Sequence, residues 1–140
     1  MNGNTYNPLH DKTVLIIDDE QIVVDVIKEV IGPLVKRLDT AGDGIDALAK
    51  ALASDYDYIL LDIMLPKMSG MEIFKLIEDY KPHLVKNIIF ITGDIETVDI
   101  RNHIRKSGCR VLDKPFMIKE LFNVMTCCEH LAGAISKAPL

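Results

Sequence analysis

The apolar residues of this chain change period again and again, and that alternation constrains the fold more than anything else in the sequence. Short apolar runs of strand type recur at Val14–Asp18, Lys36–Thr40, Tyr58–Asp62, Asn87–Thr92 and Arg110–Asp113. Between them the apolar positions fall at helical spacing. The first such stripe is Ile22, Val23, Val26, Ile27, Val30 and Ile31, with Asp25, Lys28 and Glu29 opposite, and Gly32-Pro33 stops it. The second is Ile45, Leu48, Ala49 and Leu52, after a turn at Ala41-Gly42-Asp43-Gly44. Met71, Phe74 and Ile77 mark the third. A thin stripe, Ile100 and Ile104, marks a fourth helix over 95–106. Ile118, Leu121, Phe122, Met125 and Cys128 mark the fifth. Strict strand–helix alternation implies right-handed crossovers and a parallel sheet covered on both faces. The expected fold is a doubly wound five-stranded α/β sheet with five helices, in the flavodoxin-like order 2-1-3-4-5, which sets strands 1 and 3 side by side. The second run is the most polar and is expected at or near an edge.

At 140 residues the chain fits one domain, and 49% hydrophobic residues argue against disorder. Residues 1–12 read as a flexible lead, 13–132 as the domain and 133–140 as a tail. A net charge of −5 without a Lys/Arg block argues against direct nucleic-acid binding. No apolar run approaches ~18 residues, so no membrane insertion is expected, and the polar start MNGNTYNPLHDK does not read as a signal peptide. Cys109, Cys127 and Cys128 are an odd set without metal spacing, read as reduced thiols of a cytoplasmic protein. His10, His83, His103 and His130 show no ligand spacing.

The chemistry sits at the ends of the strand-like runs. Ligands of an open parallel sheet bind outside the carboxyl ends of its strands. Asp18 and Asp19 end the first run, Asp62 the third, Thr92 the fourth, and Lys114 follows the fifth. Where a strand stops, the chain turns, and both Asp18 and Asp19 can reach one pocket. Three carboxylates so placed repel one another, and a hard cation relieves this; Mg²⁺ is the usual choice beside phosphate. Lys114 adds a positive charge, Thr92 supplies a hydroxyl, and Gly93 leaves space for an incoming group. Pro115 restricts Lys114 to an extended or turn conformation. Glu20 and Asp94 lie beside the site and read as solvated helix-start acids. The turn at 41–44 lacks a phosphate-loop pattern and reads as a tight turn and helix start.

These residues resemble the receiver domain of two-component response regulators of the chemotaxis-regulator type. The matching segments are VLIIDDE at 14–20, AGDGIDAL at 41–48, YDYILLDIMLPKMSGMEI at 56–73, IIFITGD at 88–94 and LDKPF at 112–116. The resemblance runs from about Thr13 to Leu131. The resemblance implies that Asp62 accepts a phosphoryl group from a phosphohistidine on a histidine kinase or histidine phosphotransfer domain. It implies that Asp19, Asp62 and the Met64 carbonyl ligate Mg²⁺ directly, with Asp18 acting through a water. Lys114 pairs with Asp62 and then with the phosphoryl oxygens, and Thr92 moves onto one of them. Such a domain is a phosphoacceptor that catalyses its own phosphorylation and dephosphorylation, not an enzyme acting on other substrates. It signals by switching contacts with a downstream protein, which the sequence does not name. Many receivers carry Tyr or Phe three residues before the Lys, where this chain has Val111, so output through a swinging ring is not expected.

Two other readings are open. An aspartate-nucleophile Mg²⁺ phosphohydrolase resembles this site but carries an acid two residues after the nucleophile, where this chain has Met64. A degenerate receiver that only binds a partner is the other, although all five site residues are present. The chain is expected either to work alone through protein contacts or to be a piece of a longer protein.

Overall fold

A computed structural model describes residues 6–93 and 97–126. The expected Cys127, Cys128, His130 and Asp94 lie outside the described residues, as do 95–96 of the fourth helix. Five strands, β1 (Thr13–Ile17), β2 (Arg37–Ala41), β3 (Tyr58–Asp62), β4 (Ile88–Thr92) and β5 (Arg110–Asp113), alternate with α1 (Gln21–Ile31), α2 (Gly44–Ala53), α3 (Gly70–Tyr80), α4 (Val98–Ser107) and α5 (Ile118–Thr126). All strand pairs are parallel, and the order is β2-β1-β3-β4-β5. Fold class, strand order and the edge position of β2 are as expected, with bounds shifted by about one residue.

The two-residue alternation of a strand divides the core into two halves. Leu15, Ile17, Ile59, Leu61, Ile88 and Phe90 point to one face, where Ala47 and Ala51 of α2, Ile73, Phe74 and Ile77 of α3, and Ile104 of α4 cover them. Val14, Ile16, Leu60, Ile89, Ile91 and Leu112 point to the other, under Val24, Ile27 and Ile31 of α1 and Leu121 and Met125 of α5. Both faces of the central strands are therefore dry, which is why their sequences are continuously apolar. Phe90 lies centrally, its ring 5.3 Å from that of Phe74.

Three expectations change. On α1 the buried residues are Val24, Ile27 and Ile31, while Ile22, Val26 and Val30 face outward, Ile22 being 80% exposed. The apolar residues of that helix cover more arc than one sheet face can bury. On α2 the buried pair is Ala47 and Ala51, while Ile45 and Leu52 are exposed. Small side chains let the helix lie close to the sheet, so larger neighbours are turned out. The lead is also less loose than expected: Leu9 is fully buried, and Asn7 donates from Nδ2 to the Leu34 carbonyl at 2.9 Å. Leu9 packs with Val14 and Ile31 in the core half that α1 covers.

Candidate functional site at the carboxyl edge of the sheet

Each site residue is positioned by the end of a strand. Asp18 follows β1, and its amide donates to the Ala41 carbonyl of β2 at 3.1 Å. Asp62 ends β3, Thr92 ends β4, and Lys114 follows β5, its amide donating to the Thr92 carbonyl at 2.6 Å. The Lys114-Pro115 peptide is cis. The loop after β3 is folded back onto the strand that carries Asp62. Gly70 opens α3 there, and its amide donates to the Ile63 carbonyl at 2.9 Å. A β-carbon on Gly70 would lie 2.4 Å from the Asp62 carbonyl oxygen and 2.7 Å from the Ile63 α-carbon. This close approach explains why the run that goes from Asp62 through Pro66 ends on a glycine at position 70. Gly44 meets the same loop: a β-carbon there would lie 2.4 Å from that of Met68. The Ala41–Gly44 turn therefore braces the site loop, beyond starting a helix capped by Asp43.

Lys114 Nζ is the hub. It donates to Asp62 Oδ2 at 3.0 Å and to Glu20 Oε1, and lies 3.0 Å from Asp18 Oδ2. Asp62 Oδ1 accepts the Met64 amide at 3.0 Å, and Asp18 Oδ1 accepts the Glu20 amide at 2.8 Å. Asp18, Asp62 and Thr92 are the buried polar residues of the described chain. Burial raises the Asp62 carboxyl to about 6; Lys114 and the Met64 amide oppose the rise, and the Asp18 charge adds to it. Burial pulls the Lys114 ammonium the other way, but Glu20, Asp18 and Asp62 outweigh it and hold it charged, above its ordinary range. Thr92 Oγ1 donates to Asp113 Oδ1 at 2.9 Å, so its hydroxyl is turned toward β5.

The structure thus brings together Asp18, Asp62 and Lys114, with Thr92 at the neighbouring strand end. Asp19 is exposed, and the acid that joins the cluster is Glu20: oxygens of Asp18, Glu20 and Asp62 lie within 4.8 Å of one another. The sequence position of Glu20 reads as that of a solvated helix-start acid, and the structure instead draws it onto Lys114. Its two-residue offset from Asp18 is the signal that places it there, since the first turn after a strand brings such residues to one side. Asp113 is the other residue that the strand-end reasoning passed over.

The donor set suits a small hard cation. Asp18 Oδ2 is buried and accepts no hydrogen bond, although Lys114 Nζ lies 3.0 Å away as its ion-pair partner. Carboxylate oxygens and a backbone carbonyl such as that of Met64 are hard ligands, as Mg²⁺ requires.

Comparisons with known proteins agree with this geometry. The transcriptional regulatory protein DltR of Streptococcus agalactiae serotype III is 34% identical over 108 residues, which are 77% of this chain and 47% of DltR. The chain spans about half the length of the curated relatives it matches. A CheY-like receiver domain protein from Methanospirillum hungatei superposes with a TM-score of 0.75 at 22% identity, over 91% of this chain and 99% of that one. The receiver domain of the Pseudomonas aeruginosa sensor histidine kinase PA1611, described with a magnesium ion coordinated in its active site cleft, has a TM-score of 0.66 at 26% identity, over 82% of this chain and 94% of that one. Residues 14–126 match the family described as the response regulator receiver domain, and with a buried strand-end aspartate held by a lysine from β5, the chain belongs to that family of phosphorelay signalling domains.

Proposed function

We propose that this chain receives a phosphoryl group on Asp62 from a phosphohistidine donor and signals through the change in charge at that residue. The observation that carries the reading is the Asp62 carboxyl, buried at a strand end, paired with Lys114 and poised at about 6. At neutral pH it is ionised, yet more basic than an ordinary carboxylate. An Asp62 oxygen attacks phosphorus, the new P–O bond forms as the P–N bond breaks, and the imidazole nitrogen leaves with the electron pair. Lys114 then transfers its pairing from Asp62 to the phosphoryl oxygens. Phosphoryl transfer needs positioning and charge stabilisation more than covalent help, and this set supplies both.

Mg²⁺ would be held by Asp62, Asp19 and the Met64 carbonyl, with Asp18 acting through a water. When bound it would offset the carboxylate charges and the charge of the incoming group. Hydrolysis of the acyl phosphate in the same site would make the chain its own phosphatase. No acid stands two residues after Asp62, where Met64 is exposed, which disfavours a hydrolase of small phosphate esters.

The donor is read as a histidine kinase or histidine phosphotransfer domain. Apolar residues of α1 beside the site support this. Ile22, Val23 and Val26 form, with Phe116 and Ile118, an apolar groove of about 350 Å³ whose rim includes Glu20 and Lys114. A partner seated there would bring its imidazole to the edge of the Asp62 site. No helix among the described residues is long and apolar enough to cross a membrane. On the output side, phosphorylation would reorder the β4–α4 loop and α4, because α4 has a single fully packed anchor, Ile104.

Acetyl phosphate with Mg²⁺ tests the reading directly. The chain should gain one phosphoryl mass, and Asp62→Asn should gain none. The same gain on another residue of the variant would refute the assignment.

A further inference from the structure

We infer that Asp113 is a positioning residue for the phosphoryl switch: its carboxylate competes with the phosphoryl group for the Thr92 hydroxyl and so sets how readily the phosphorylated state forms. The inference rests on the reading of Asp62 as phosphoacceptor and of Thr92 as the group that turns onto it.

Thr92 and Asp113 are register partners at the ends of β4 and β5. The hydroxyl is buried, 2% exposed, and donates to Asp113 Oδ1 at 2.9 Å. A hydroxyl has one proton to donate. Given to Asp113, it is unavailable to an oxygen on Asp62. A hydrogen bond to an ionised acceptor is stronger than a neutral one, so the resting arrangement is a held state and not an idle one. The phosphoryl oxygens must win the proton from a carboxylate that already holds it.

The surroundings let Asp113 give it up. Asp113 is solvent-exposed, and it lines a cavity of about 560 Å³ between α4 and β5 together with Thr92, Val111, Arg101 and Arg105. When Thr92 turns away, the carboxylate is left among water and two arginines of α4, so it is not stranded in an apolar pocket. The exchange would also change the charge environment of α4 without requiring a ring at position 111. Lys114 is fixed in the same step, because its amide donates to the Thr92 carbonyl while its ammonium faces Asp62. The backbone of Thr92 can therefore stay in the sheet while its side chain rotates.

A double-mutant cycle tests this, with beryllofluoride and Mg²⁺ as the probe and calorimetry as the readout. Asp113→Ala should bind beryllofluoride more tightly by roughly tenfold, the factor one hydrogen bond to a charged group carries. Asp113→Asn keeps an acceptor but loses the charge, and should show a smaller gain. In a Thr92→Val background, Asp113→Ala should give no gain. Affinity in Asp113→Ala equal to or below that of the unaltered chain would overturn the inference. So would an equal gain in both backgrounds, which would mean a general effect of removing a negative charge. Should Asp113→Ala fail to fold, Asp113→Asn decides alone, and no gain there overturns the proposal. Failure of the unaltered chain to bind beryllofluoride would overturn the phosphoacceptor reading itself, and this inference with it.

Discussion

The two halves of the site edge are built differently. The β1–β3 half is fixed by backbone. Asp18 and Asp62 each have one oxygen held by an amide two residues on, and Gly70 presses α3 against the strand end that carries Asp62. In the β4–β5 half the backbone is paired as well, but the functional side chain is held only by another side chain. Thr92 hangs on Asp113, α4 is anchored by Ile104, and a cavity separates that helix from β5. Gly93 differs from Gly70 in the same way, for a β-carbon there would meet nothing among the described residues within 4 Å. The first half places charge with little freedom to move. The second half has room to change state. A phosphoryl switch needs both, because a small change in charge produces a discrete change in shape only where one partner stays still.

Metal titration should break the comparison most sharply. Asp19→Ala is expected to abolish Mg²⁺ binding, whereas Asp18→Ala should weaken it by ~10–100-fold, as loss of a group acting through water does. Glu20→Ala serves as the competing case, since Glu20 and not Asp19 sits in the acid cluster. If Glu20→Ala proves the more damaging of the two, the direct ligand is Glu20.

Substituting the two glycines probes the halves separately. Gly70→Ala forces a β-carbon against backbone, with an expected loss of about 1–3 kcal/mol by analogy with overpacked cores. Gly93→Ala should stay within about 0.5 kcal/mol, as a substitution away from packed contacts does. Urea unfolding of the two variants measures both. Equal losses would erase the distinction between a rigid half and a roomy one.

Hydrogen exchange should separate the same halves more gently. Amides of α4 should exchange faster than those of α3, whose Ile73, Phe74 and Ile77 are buried together. Beryllofluoride should alter protection over the described part of α4, residues 98–107, more than over α3. Unchanged protection in α4 with Asp62 occupied would move the output to another face.

The smallest effect concerns pH. Burial holds the Asp62 carboxyl at about 6, above its unfolded value. The protonated form is therefore favoured by folding, and ionisation of Asp62 costs stability as pH rises from about 4 through about 6. In metal-free buffer at pH 7.5, Asp62→Asn should melt at a higher temperature than the unaltered chain. That gain should shrink toward pH 4, where the folded Asp62 carboxyl is protonated. A gain that is flat with pH would show that it does not come from the carboxylate.

Much of this was legible in the residues. A parallel strand buried on both faces must be apolar throughout, so five short runs with helical stripes between them left little choice of fold class. Because ligands of such a sheet gather at its carboxyl edge, Asp18, Asp62, Thr92 and Lys114 could be assigned to one place from their positions at strand ends. Side-chain direction was not legible in the same way. An apolar residue on a helix is equally apolar whether it faces the sheet or solvent, so helical spacing groups Ile22, Val26, Ile45 and Leu52 with their stripes while packing leaves them exposed. Only contact with the sheet chose Ala47 and Ala51. The choice of Glu20 over Asp19 in the acid cluster, the grip of Asp113 on Thr92 and the closeness of Gly70 to Asp62 likewise depend on how the loops fold back. By itself the sequence determined the alternation of strands and helices and the strand ends that carry the chemistry, because periodicity is a property of the chain. Tertiary structure decided which oxygen faces which donor, because that depends on distances of a few ångströms between segments far apart in sequence.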